Sequence, residues 1–438
     1  MKKVFSLLFV LSILFASCEE WIDPEINVDP DNPKDVSIGV LLPAIEGSLA
    51  YYYGGIDVVG IQSVWMQQLR GQDRQFVAIN NYNIRTSDPN NLWNSLYQGV
   101  MMDIEQMIVK AEDPDNLERN SAGVAKVLKA VSLSLATDSW GSIPYTEAFL
   151  GSDELTPVYD DQQAIYSEII RLLDDAIGDL ESDENVAGIT NDYIYGGDPA
   201  AWIRAAYSLK ARFTMRLTEV SSVDYDAVIA DLDNGFVSID DDMEQPFDAS
   251  SSAGYNPLYQ FIEQRGGYIG NNAVYDSIME GDPRNGIQVW SEDGFWSSQG
   301  SPVSFMGYTE ALFLRAEAEY RNGAIDDAKT TLVSALESSM TKYNVIAGNE
   351  SFVTDFEAEI AGLSGEDFLE RLILEKYKHL FASPEVYNDW RRTGYPVLDP
   401  VQGTDIPKRY PYPQDEFQYN LDNVPEVNIY QRVWWDAD

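Results

Sequence analysis

A chain of 438 residues with one histidine, His379, and one cysteine, Cys18, has few routes to bond-breaking chemistry. A zinc centre needs more nitrogen and sulfur ligands than these two residues supply together, and any nucleophile, histidine and acid triad would have to run through His379. His379 falls inside RLILEKYKHLFA, a helical stretch, and reads as a helix-surface or hydrogen-bonded core residue. With 72 Asp and Glu residues, close carboxylate pairs arise by chance, so none marks the acid and base of a glycoside hydrolase, which stays the enzymatic alternative. Hard cations take clustered oxygens, which makes Asp240, Asp241, Asp242 and Glu244, or Asp29 and Asp31, conceivable calcium ligands. Neither run has the glycine and terminal glutamate of an EF-hand loop, so solvated acidic loops and no cofactor are expected.

Recognition chemistry is better represented. Between residues 255 and 304, Tyr255, Tyr259, Arg265, Tyr268, Asn271, Asn272, Trp290, Phe295 and Trp296 alternate with glycines and polar turn formers. A second stretch, GQDRQFVAINNYNIRTSDPNN (71–91), interleaves Arg74, Asn81, Tyr82 and Arg85. Rings for apolar faces beside amides and guanidinium groups for polar edges suit a ligand that has both, and the two stretches are expected to form two walls of one pocket. Trp296 is the first candidate, because EDGFWSSQG is turn-forming and gives no helical stripe on which to bury it. Trp65 and Trp93 look helical instead, with Trp93 leading into Leu96, Tyr97 and Val100 at helix spacing.

The elements that must hold these loops are mostly helices. Asp160 is a candidate N-cap before Ile165, Ile169, Leu172, Leu173, Ala176, Ile177 and Leu180, which recur every three or four residues. Asp198 and Pro199 are a second start signal, with Trp202, Ala205, Ala206, Leu209, Phe213 and Leu217 on one face. Further helices are predicted near 37–53, 90–112, 117–138, 309–322, 325–339 and 366–382. In LFLRAEAEYRNGAIDDAKTTLVSAL, Leu312, Ala316, Ala328, Leu332 and Ala335 have the spacing of a tetratricopeptide helix pair, small residues letting two helices approach. A second pair is conceivable from 117–138 and 160–182. Irregular stretches at 66–90, 240–304 and 394–438 are too long and aromatic for linkers.

Cys18 follows a dilysine, Lys2 and Lys3, and an apolar run from Val4 to Ala16, too short to span a bilayer. LFASC (14–18) resembles the lipobox of bacterial lipoproteins, which implies a signal peptide over 1–17 and a lipid on Cys18. Residues 18–35, acidic and proline-punctuated, read as a tether, and 36–438 as the folded domain. Glu19 and Glu20 resemble the export signal that sends Bacteroidetes lipoproteins to the outer cell surface. A net charge of −43 argues against nucleic acid and anionic membrane surfaces, and 45% apolar with 12% aromatic residues supports a folded core.

Six blocks then resemble one family in order: DSWGSIPYTEA (138–148), PVYDDQQAIYSEIIRLLDDAI (157–177), GDPAAWIRAAYSLKARFTMR (197–216), YTEALFLRAEAEYRNG (308–323), WRRTGYP (390–396) and IPKRYPYPQDEFQYN (406–420). They look like the SusD/RagB family. The resemblance implies a mainly α single domain of tetratricopeptide-like helix pairs with a loop-rich portion packed on it. It also implies an outer-membrane lipoprotein facing the exterior that captures glycans, or in some members peptides, for a SusC-like TonB-dependent transporter, without catalysis. In these blocks Asp138, Trp140, Gly141, Pro144 and Tyr145 are expected to serve the fold, at a helix end and tight turn. Arg391 and Arg392 are expected to anchor loop carbonyls and carboxylates, which the planar guanidinium suits. A glycan would place its C–H faces on the rings named above and its hydroxyls on the amides and charged groups.

Overall fold

In the computed structural model, which describes residues 36–437, helices carry most of the chain. Cys18, Asp29, Asp31 and the segments 1–17 and 18–35 lie outside the described residues. Helices of nine or more residues are α1 (Ile38–Tyr53), α2 (Met102–Ala111), α3 (Arg119–Trp140), α4 (Gln162–Leu180), α5 (Pro199–Met215), α6 (Tyr225–Asp233), α7 (Pro257–Arg265), α8 (Tyr308–Arg321), α9 (Ile325–Lys342), α10 (Glu350–Ala361), α11 (Glu366–His379) and α12 (Glu385–Thr393). The strands are short and pair antiparallel: β1 (Leu69–Gly71) with β5 (Ile269–Asn271), β2 (Ile143–Pro144) with β3 (Tyr159–Asp160), and β4 (Met243–Gln245) with β6 (Val303–Met306).

Start signals act locally, with one difference. Asp198 caps α5 by accepting the Ala200 N–H at 2.9 Å, and Pro199 takes the first position, where a missing N–H costs nothing. At α4 the capping position belongs to Asp161, not Asp160. The Asp160 carboxylate instead accepts the N–H groups of Tyr145 and Thr146, both at 2.9 Å, because β2–β3 pairing turns it toward that loop. The helix predicted over 90–112 is interrupted by a wide π segment, Ser95–Met101, within which Tyr97 packs on Trp93 and donates to the Pro144 carbonyl at 2.7 Å.

The expected helix pair is present: α8 and α9 bury Ala316, Ala328, Leu332 and Ala335 completely, and α10 and α11 add Phe356, Ile360, Phe368 and Leu372 to the same apolar cluster. The second pair, α3 with α4, packs more closely still. A Cβ on Gly123 would stand 2.6 Å from Leu180 Cγ and 2.9 Å from the Ala176 carbonyl, so glycine sets that approach. Nearly every residue of α3 is buried, which makes it the central strut of the larger cluster. Each of its leucines and valines contributes roughly 1.5–3 kcal/mol by leaving water.

Where α3 ends, Asp138 collects donors from four distant elements. Tyr166 Oη (2.6 Å) and Trp435 Nε1 (2.8 Å) donate to Oδ1, Arg216 Nη1 (3.2 Å) and Asn388 Nδ2 (3.4 Å) to Oδ2. Arg391 Nη1 donates to the Asp138 and Lys408 carbonyls at 2.7 and 2.9 Å. Arg392 takes Glu317 and Asp389. Both arginines and Asp138 therefore serve the fold, as their blocks imply.

Candidate functional site

The β4–β6 pair and the C-terminal end of α9 shape a cleft that Trp296 overhangs. Asp242, just before β4, and Glu244, within it, face one cation: Lys342, last residue of α9, places Nζ 2.8 Å from each carboxylate. The same ammonium lies 5.8 Å from the centre of the Trp296 ring. Trp296 is half-buried: its Nε1 donates to Tyr343 Oη at 2.9 Å, and that hydroxyl donates to the His379 carbonyl at 2.7 Å. Phe295 packs edge-on against Tyr343, with centroids 4.7 Å apart. Tyr53, Leu258, Phe305 and Leu380 complete an apolar floor. Atom-free space over this surface, counted out into open solvent, is about 640 Å³.

Burial pushes the Asp242 carboxyl up to about 6, the Lys342 charge pulling it back and the Glu244 charge adding to the rise. Burial lowers Lys342, but the two carboxylates outweigh it and leave its pKa above the usual lysine value. The cleft thus joins a flat indole face to two acceptors and a cation, an arrangement for holding hydroxyl-bearing ligands with apolar faces.

Other sequence candidates separate into distinct surroundings. The 71–91 and 255–304 stretches do meet, through the β1–β5 ladder with Leu69 opposite Asn271 and Gly71 opposite Ile269, but no residue of 71–91 lines the Trp296 cleft. Tyr82 is buried and its phenol oxygen accepts the Val401 N–H at 2.9 Å. Trp290 is buried against Phe261. Asn272, also buried, donates to the Leu69 carbonyl at 3.1 Å and caps a short helix through the Val274 N–H at 3.0 Å. Asn271 is exposed, with Oδ1 accepting the Trp290 N–H at 2.8 Å, and Tyr268 is half-buried against Phe261. Arg74 and Arg85 are exposed, Arg74 near Asp73 and Arg85 held by Asp88 at 2.7 Å.

The acidic run at 240–244 is not the solvated loop expected. Asp241, the last residue of a 3-10 turn, is buried and pairs with Arg204 at 2.8 Å, and Asp242, between that turn and β4, pairs with Lys342. Among the described residues no group of three acidic, histidine or cysteine side chains is placed to hold a metal ion. His379 is a core residue: its Nδ1 lies 3.0 Å from Ser339 Oγ, and burial lowers its pKa to about 3. Sequence reasoning missed Lys342, which lies 98 residues from Glu244 and is brought to it only by the packing of α9 beside β4.

Comparison with known proteins places this architecture. Residues 30–286 and 260–413 match the SusD-like_2 family model, described as starch-binding associating with outer membrane. No match is found among curated protein sequences. A SusD/RagB family protein of Bacteroides thetaiotaomicron VPI-5482 is similar at 26% identity and TM-score 0.75, over 92% of this chain and 99% of that one. A chitin-binding SusD homologue of Flavobacterium johnsoniae shares the fold at 21% identity and TM-score 0.74, over 90% of this chain and 99% of that one. A SusD homologue of Bacteroides fragilis NCTC 9343 does so at 21% identity and TM-score 0.76, over 92% and 99%.

Proposed function

Because this chain belongs to the SusD/RagB family, whose matched model describes starch-binding proteins associated with the outer membrane, we propose that it is a surface-exposed lipoprotein that binds an oligosaccharide nutrient. Cys18 would carry the lipid, and the bound glycan would pass without chemical change to a SusC-like TonB-dependent transporter. The observation that supports glycan binding in this chain is the half-buried Trp296 indole set beside the Lys342, Asp242 and Glu244 triad. Pyranose C–H groups pack on such a ring while hydroxyls reach the charged groups around it.

Calorimetric titration of the chain from residue 19 against neutral glycans, acidic glycans and peptides tests the reading. Saturable binding of a glycan that Trp296→Ala weakens is the expected result; binding of peptides alone replaces the glycan with a peptide ligand. Release of products from any bound glycan would overturn the non-enzymatic role. Co-purification of a large β-barrel protein from detergent-solubilised membranes tests the transporter partnership.

A further inference from the structure

A second polar pocket lies at the N-terminal end of α4, lined among others by Gly141, Asp161, Gln162, Arg409, Arg432 and Trp434, and it shares no residue with the Trp296 cleft. Its atom-free space, counted as before, is about 620 Å³. Arg409 is only 4% exposed. Its Nη2 donates to Tyr412 Oη at 3.0 Å and its guanidinium lies over the Tyr412 ring, but Nε has no hydrogen-bond partner. Among the described residues no carboxylate lies within ion-pairing distance of it, in a chain of net charge −43. Gln162, 2% exposed, donates through Nε2 to the Thr137 carbonyl at 2.7 Å and leaves Oε1 without a donor. Two residues that line one pocket therefore carry a buried donor lacking an acceptor and a buried acceptor lacking a donor, and the Arg409 charge in particular has no counter-charge among the described residues.

The surroundings are built to keep that arginine in place. Gly141 has φ +85°, and a Cβ there would stand 3.0 Å from Arg409 Nη2, so a side chain at 141 would crowd the guanidinium. The side chain of Asp161 makes no capping bond, so the first turn of α4 keeps its N–H groups and the positive end of its dipole at the pocket. Arg432 is held by Asp436 at 2.6 Å. Asp161 is the one acidic residue of the lining, and it is exposed. The Trp434 indole, partly buried, supplies an apolar face.

We propose that this pocket binds a uronic-acid sugar, with its carboxylate at Arg409 and the first turn of α4 and its ring against Trp434. The net acidity of the chain opposes anionic ligands in general, and the unpaired arginine reverses that locally. The assignment stands apart from the Trp296 cleft.

The test is calorimetric titration of the intact mature chain in detergent with sodium glucuronate, glucose and sodium sulfate at constant ionic strength. Saturable glucuronate binding is expected, with glucose and sulfate each weaker by about tenfold or more, and Arg409→Gln lowering glucuronate affinity by about tenfold or more. Trp296→Ala should leave it unchanged. Sulfate binding as tightly as glucuronate, equal binding of glucose, or an unaffected Arg409→Gln protein would each overturn the proposal. Should Arg409→Gln fail to fold, wild-type crystals soaked in glucuronate decide: sugar density at Arg409 upholds the site, and its absence there removes it.

Discussion

Arg392 and Glu317 meet as two parallel N–H···O contacts of 2.5 and 2.7 Å, with both side chains 1% exposed. Burial alone would raise the Glu317 carboxyl, but Arg392, helped by Arg321, outweighs it and holds the carboxyl at about 2. Removing one partner of such a pair leaves an unpaired buried charge, at a cost of about 3–5 kcal/mol. Arg392→Ala is accordingly expected to lower the urea midpoint strongly; a loss below about 1 kcal/mol, as for a surface pair, would refute the role. Since the Glu317 pKa is depressed on folding, its contribution is complete above the ordinary glutamate value of 4.5 and disappears as pH falls toward 2.

Glu46 predicts the opposite slope. It is fully buried, accepts the Tyr193 N–H at 3.0 Å, and is pushed up to about 9, chiefly by burial and further by Asp192. A raised carboxyl stabilises fully below its unfolded value and loses that contribution as pH rises through the folded one. Glu46→Gln, which mimics the protonated acid, should gain on wild type by up to about 1.4 kcal/mol per pH unit between those limits. Thermal unfolding from about pH 5 to pH 9 measures it, and parallel curves for the two proteins would sink the assignment.

Trp296→Ala should weaken glycan binding by about tenfold or more while costing roughly 2 kcal/mol of stability, less than a fully buried tryptophan. Titration and unfolding of the same sample separate the effects. Unchanged affinity would move the binding site elsewhere.

Cys18→Ala should abolish incorporation of labelled fatty acid and leave ligand affinity intact, since the binding residues all lie beyond residue 36. Persistent labelling would show that another residue is acylated.

Helices with a single apolar face were legible because their signals are local: Asp198 before Pro199, or the alanines that seat α8 on α9. α10 was overlooked although Val353, Phe356 and Ile360 have helical spacing, because the rest of its face is acidic. α12 is short, and its apolar Val386, Tyr387 and Trp390 are outnumbered by charged and polar residues that are buried too, with Glu385 and Arg392 neutralised by Arg216 and Glu317 far along the chain. Trp296 could be singled out from its turn-forming neighbours. Tyr82 misled, since its polar context gives no sign that the Val401 N–H, 319 residues on, would donate to its phenol oxygen as the ring is buried. Lys342 was invisible for the same reason, lying 98 residues from Glu244.

The donors around Asp138 also carry a timetable. Trp435 reaches back 297 residues to that carboxylate, and Arg391 reaches back 253 to its carbonyl. A ribosome releases those partners only in the last moments of synthesis, so the centre of the molecule stays incomplete until the chain is almost whole. Its larger core cannot close fully before those final residues are available to close it.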